Sequence, residues 1–137
     1  MFFSTFHKQT TPNTDIIDIT DDVKRAVTTS ALSNGLVTVG VAGSTASITT
    51  IEFEPGAVDD LQAAIERIAP RGMRYAHNDR WGDGNGYSHV RAALLGPSVS
   101  IPLQQGSLVL GTWQQLVLCD FDNRGRKRAV YVQIVGE

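Results

Sequence analysis

Two histidines in the second half of the chain, His77 and His89, are the residues best suited to acid–base or metal chemistry. A glycine-rich segment at residues 82–85, Gly-Asp-Gly-Asn, lies between them. Such a segment folds tightly enough to bring both imidazoles to one pocket. The alternative is that His77 is a hydrogen-bonded loop histidine and His89 belongs to a helix face. Two histidines are too few for a closed zinc site, which needs about four ligands.

Other polar residues extend the candidate site. His89 falls in the first turn of a predicted helix, where unpaired N–H groups favour an anion. Glu52, among apolar neighbours on a predicted strand, is either a general base or third metal ligand, or an outward-facing strand residue. Asn78, before the glycine-rich segment, and Asn85, its last residue, are candidate substrate contacts.

Two further segments are candidates for substrate binding. Ser44 and Thr45 lie in a short turn whose N–H groups and hydroxyls suit a phosphate, although the turn lacks the P-loop pattern. Trp113 and Gln114 follow a glycine. They provide either a ring platform with an amide for a ligand or a buried tryptophan at a bulged strand.

The composition describes one globular domain that spans residues 1–137. The chain is 42% hydrophobic and 19% charged, with a net charge of −2, which gives no overall electrostatic case for nucleic acid. No apolar run approaches the ~20 residues that cross a bilayer, and no signal peptide is evident. The single cysteine, Cys119, is predicted to be a buried core residue. These features predict a cytoplasmic protein without nucleic-acid or membrane partners.

The periodicity of the apolar residues predicts an α+β domain with a largely antiparallel, sandwich-like sheet and about three helices. Residues 36–41 form a continuous β-branched run that is typical of a strand covered on both faces. Residues 74–86 have no period and are predicted to be a long loop. Residues 122–125, Asp-Asn-Arg-Gly, are predicted to be a hairpin turn.

Several ordered motifs together resemble the YjbQ family, small proteins also described as secondary thiamine-phosphate synthases. The resemblance covers about residues 20–136. The motifs are Gly43-Ser44-Thr45-Ala46, Glu52, Asp60-Leu61, Pro70, Tyr75-x-His77-Asn78, Gly84-Asn85-x₃-His89, Leu95-Gly96-x-Ser98, Gly106-x-Leu108-x-Leu110-Gly111-Thr112-Trp113-Gln114 and Arg128.

The resemblance implies a homotrimer with its site near the subunit interface. It also implies an activity that joins an aminopyrimidine diphosphate to a thiazole phosphate. A divalent metal ion of unspecified identity is the cofactor that it suggests, with His77 and His89 as ligands. The family's His-[ST]-[ST]-Ala motif reads Gly43-Ser44-Thr45-Ala46 here, so one of three histidines is absent.

Three functions are therefore open from the sequence. The first is an enzyme acting on a phosphorylated small molecule, with His77, His89 and Glu52 as catalytic residues. The second is a non-catalytic trimer that binds a metal ion or a phosphorylated metabolite. The third is a structural trimer whose histidines only stabilise loops.

Overall fold

Twelve elements build the domain in the computed structural model, which describes residues 1–137. The strands are β1 (Phe2–Gln9), β2 (Asp15–Asp18), β3 (Gly35–Val41), β4 (Ala46–Ile51), β5 (Ser98–Gln104), β6 (Ser107–Leu108), β7 (Gln115–Asp120) and β8 (Lys127–Gly136). The helices are α1 (Thr20–Ser30), α2 (Pro55–Ile68), α3 (Ala76–Trp81) and α4 (Gly86–Leu95). The predicted α+β class is confirmed. The structure adds one helix, α3, to the three that were predicted.

The strands form two antiparallel sheets. The larger has the order β1-β8-β3-β5-β6 and the smaller has the order β2-β7-β4. Val39 and Val132 are paired neighbours on the inner face of the large sheet, and Ile48 and Leu118 are paired neighbours on the small one. These four residues belong to one apolar core that α1 closes. The two antiparallel sheets therefore share one core.

A second, smaller core lies on the outer face of the small sheet, under α2 and α4. It contains Val117 and Cys119 of β7 with Ile65 of α2 and Ala92 of α4. Because Leu116 and Leu118 face the first core, β7 is buried on both faces. The predicted two-face burial of residues 36–41 is wrong, since only alternate residues of β3 are buried. Cys119 is fully buried, as predicted, and burial raises the pKa of its thiol to about 12.

One glycine allows the two helices that carry the histidines to pack closely. Gly86 begins α4 where it meets the residue before α3: a Cβ at Gly86 would lie 2.5 Å from Cβ of Tyr75. Only glycine permits this approach.

None of the four helices has the length and apolar character that crossing a membrane requires.

Candidate functional site

Three chain connections meet at one end of the two sheets, and each crosses from one sheet to the other. They are residues 10–14 between β1 and β2, residues 42–45 between β3 and β4, and residues 121–126 between β7 and β8. We call this the crossover end. The hairpin predicted at residues 122–125 is therefore wrong, because β7 and β8 belong to different sheets. Turn chemistry alone does not distinguish a hairpin from a crossing between sheets.

Backbone hydrogen bonds tie the three connections together. The Thr10 N–H donates to the Arg126 carbonyl at 2.8 Å, and the Phe121 N–H donates to the Thr45 carbonyl at 2.9 Å. The Asn13 N–H donates to the Asp122 carbonyl at 2.9 Å. These bonds fix the backbones of the three connections relative to one another.

Arg128 is the central side chain of this end. Its Nε and Nη2 donate to the two oxygens of Asp120 at 2.7 and 2.8 Å, and Nη2 also donates to Thr45 Oγ1 at 2.6 Å. Arg128 and Asp120 are both buried. Nη1 makes no hydrogen bond within the chain and faces Gly43, where a Cβ would lie 2.8 Å from it. The guanidinium is thus fixed on one side, with Nη1 free to donate.

Asp122 and Arg126 form a second pair beside the first. Arg126 Nε donates to Asp122 Oδ2 at 2.7 Å, and Asn85 Nδ2 donates to Asp122 Oδ1 at 3.3 Å. Burial acts to raise the pKa of Asp122. The hydrogen bonds from Asn85, the Asn123 N–H and Arg126, with the charge of Arg126, outweigh burial and lower that pKa. Asp122 therefore stays ionised and orients Arg126.

The two histidines lie together at this end. His77 on α3 and His89 on α4 have ring centroids 4.4 Å apart, at an interplanar angle of 40°. His77 Nδ1 lies 3.4 Å from Asp83 Oδ1 but makes no hydrogen bond. The prediction that the two imidazoles converge is confirmed by this geometry. Their chemical roles stay predictions.

These side chains surround an open cavity of about 380 Å³. That volume is of the size that small ligands occupy. Nine of its ten lining residues are polar or glycine: Gly43, Ser44, Thr45, His77, Asp83, Asn85, His89, Arg126 and Arg128. The tenth is Trp81. The arrangement offers hydrogen-bond donors from two guanidiniums, two imidazoles and the Ser44 hydroxyl, which is the chemistry of an oxyanion site.

Three predicted site residues lie elsewhere. β4 begins at the crossover end with Ala46 and runs away from it to Ile51. Glu52 follows Ile51, at the far end of the strand, and it is exposed. Trp113 is 70% exposed, and Gln114 hydrogen-bonds Thr50 at 3.2 Å and the Gly111 N–H at 3.0 Å. We call this group, Glu52–Glu54 with Gly111–Gln114, the distal end. The expectation that Glu52 joins the histidines is wrong within one chain, and Trp113 is not a core residue.

The two asparagines have local structural contacts. Asn78 Oδ1 accepts a hydrogen bond from the Gly86 N–H at 2.8 Å and so occupies one donor of the α4 N-terminus. The expected anion site at that terminus is therefore partly filled by the chain itself. Asn85 lines the cavity and anchors α4 to Asp122.

Trp81, Asp83 and Arg126 were not among the predicted site residues. Trp81 is 68% exposed and lies four residues after His77 on α3. Residues four apart share a helix face, so assigning α3 from the sequence would have placed Trp81 beside His77. Arg126 belongs to a run of basic residues at positions 124–128, and its pairing with Asp122 has no sequence signal.

The residues present do not fit the three-histidine metal site that the resemblance implies. Position 43 is glycine, and no group of three His, Cys, Asp or Glu side chains lies where it could hold a metal ion. The guanidinium of Arg128 stands next to position 43. A cation there would meet a fixed positive charge in place of a third ligand.

Comparison with known proteins identifies the family of this chain. The family model described as UPF0047 protein YjbQ-like matches residues 4–137. A UPF0047 protein of Archaeoglobus fulgidus is 38% identical over 122 residues, covering 89% of this chain and 93% of the relative. A UPF0047 protein of Mycobacterium tuberculosis is 37% identical over 120 residues, covering 88% of each.

Solved structures agree. A crystal structure of a protein of unknown function from Sulfolobus solfataricus superposes with a TM-score of 0.94 at 33% identity, covering 99% of this chain and 97% of that one. A hypothetical protein from Aeropyrum pernix gives a TM-score of 0.93 at 31% identity, with full coverage of both chains. The chain belongs to the UPF0047/YjbQ family.

Proposed function

We propose that this chain is a small-molecule enzyme that acts on a phosphorylated substrate at the crossover end. The observation that carries the proposal is the meeting of Arg126, Arg128, His77 and His89 around one cavity. Fixed guanidiniums recognise phosphate groups, and their orienting carboxylates, Asp120 and Asp122, lie behind them.

The specific reaction that we propose is thiamine phosphate formation. The ring nitrogen of a thiazole phosphate forms a C–N bond with the methylene carbon of an aminopyrimidine diphosphate. The C–O bond to the diphosphate breaks, and its electron pair leaves on the diphosphate oxygen. Donors fixed in advance stabilise such a developing anion. Arg128 Nη1, Arg126 and His89 are the donors that we assign to this role.

The aromatic ring that lines this cavity is Trp81, so we assign to it the stacking role considered above for Trp113. Glu52 and Trp113 reach such a site only from another subunit.

We also propose that the chain forms a homotrimer. In support, Ile68 and Leu94 are 66% and 63% exposed beside an apolar groove of about 310 Å³ between α2 and α4. Light scattering that reports a stable monomer at micromolar concentration would reject the trimer.

The test is an assay of thiamine phosphate formation from the two substrates, with product read by thiochrome fluorescence. His89→Ala is expected to lower turnover by roughly 100- to 1,000-fold, because one donor to the leaving anion is lost. His89 is half-buried, so the free energy of unfolding is expected to change little. The matched control is His7→Ala, since His7 is exposed on β1 and does not line the cavity.

Equal turnover in wild type and His89→Ala would remove His89 from the mechanism. Absence of product with the wild type favours the second candidate, a binding protein for a phosphorylated metabolite. Thermal stabilisation by phosphorylated compounds, without turnover, would establish it.

A further inference from the structure

We propose that the pocket binds its oxyanion directly on Arg128 Nη1, the guanidinium nitrogen beside Gly43, and does so without a bridging metal ion. This inference rests on the proposed function in that the ligand carries a phosphate or diphosphate group. It deepens that function by assigning the positive charge of the site to the protein itself.

The first step of the argument is the space at position 43. Gly43 has a φ of +151°, in a region that L side chains rarely adopt, and its missing Cβ leaves room for Arg128 Nη1. Any side chain there would have to displace the guanidinium, whose other nitrogens are held by Asp120 and Thr45.

The second step is the orientation of the donors. Arg128 uses Nε and Nη2 within the chain, which leaves Nη1 as the donor toward the cavity. Arg126 uses only Nε, on Asp122, so its terminal nitrogens are also free. Because both guanidiniums are held by buried carboxylates, little side-chain entropy is lost when an oxyanion binds them.

The third step is the lack of competing metal chemistry. A closed zinc site uses four ligands, and catalytic zinc sites use three protein ligands with one open position. His77 and His89 supply two, and Asp83 approaches His77 without completing a three-ligand group. An oxyanion therefore has more partners in this pocket than a cation has.

Isothermal titration of the full-length protein, stripped of metal, tests the proposal with inorganic diphosphate as the probe. We expect diphosphate to bind in excess EDTA, with an affinity that changes less than about threefold when Mg²⁺ replaces EDTA. Gly43→Ala is expected to weaken binding by roughly 10-fold or more, because its Cβ displaces a charged donor.

Gly106→Ala is the matched control. Gly106 also has a positive φ, of +76°, but a Cβ there meets nothing within 4 Å. It therefore introduces an alanine at a positive φ without touching the guanidinium, and its diphosphate affinity is expected to equal that of wild type. Thermal unfolding of both variants verifies that they are folded.

Three results would overturn the inference while leaving the proposed function in place. They are diphosphate binding that requires a divalent cation, stoichiometric Zn²⁺ binding by wild type that His77→Ala abolishes, and unchanged diphosphate affinity in folded Gly43→Ala. Absence of diphosphate binding with and without Mg²⁺ would reject both the inference and the proposed function.

Discussion

The two ends of the sheets use polar residues in opposite ways. At the crossover end, Asp120, Asp122 and Arg128 are buried. The Asp120 carboxylate accepts hydrogen bonds from the Arg128 guanidinium and from the Asp122 N–H. At the distal end, Glu52 and Gln114 are exposed, and Trp113 is 70% exposed. Burying charges is costly unless each is paired, so a cluster of paired buried charges facing a cavity is a stronger functional indication than exposed motif residues.

The largest expected effect comes from breaking the buried pair at the crossover end. Arg128→Met should lower the free energy of unfolding by about 3–5 kcal/mol, because it leaves the Asp120 carboxylate buried without its charged partner. Urea denaturation at neutral pH measures it. A loss below about 1 kcal/mol, similar to that of an exposed substitution at the distal end, would remove the contrast between the ends.

The next effect concerns pH. The pKa of Asp122 lies below its ordinary value of 3.8, so ionised Asp122 stabilises the folded state above that value. This contribution is lost as the pH falls through the lowered folded-state pKa. Asp122→Asn should therefore lose stability at neutral pH and show a shallower decline of unfolding free energy below about pH 4. Urea melts across the acid range check this, and parallel pH profiles for the two proteins would contradict it.

The two tryptophans sharpen the comparison further, because both are exposed to a similar extent at opposite ends. Trp81→Ala should weaken diphosphate-ester binding by about 2- to 10-fold through lost ring contact. Trp113→Ala should change the free energy of unfolding by less than about 1 kcal/mol, as exposed substitutions do. Titration and urea melts measure both. Weaker ligand binding in Trp113→Ala would show that a second subunit contributes its distal end to the pocket.

The smallest expected effect is on the reactivity of the Cys119 thiol. Cys119 lies in the second core, and its thiol pKa is raised to about 12, so its thiolate population at pH 8 is very small. Folded protein should resist alkylation by iodoacetamide at that pH, and urea-unfolded protein should react readily. Mass spectrometry follows the modification. Rapid labelling without denaturant would indicate that this core opens locally.

The sequence predicted those elements whose apolar residues are periodic. The helical spacing of Val90, Ala93 and Leu94, with the stop at Gly96-Pro97, predicts a helix over residues 87–95, which α4 confirms. The structure leaves these three side chains exposed and buries the opposite side of the helix. By contrast, α3 has six residues and buries none, so no apolar stripe marks it. The histidine pair was predictable from the glycine-rich segment between its members. Glu52 and Trp113 were misplaced because their positions depend on how the sheets are oriented, which local patterns do not specify.

The central claim is that an oxyanion binds at the crossover end and not at the distal end of the same chain. The chain has two tryptophans, one at each end, so their indole N–H signals in a ¹H–¹⁵N spectrum report on each end separately. Trp113→Phe assigns the two signals. During a diphosphate titration in EDTA, the Trp81 signal should shift until the site is saturated while the Trp113 signal stays fixed. A shift of Trp113 alone, or no shift of either signal at saturating diphosphate, would contradict the account.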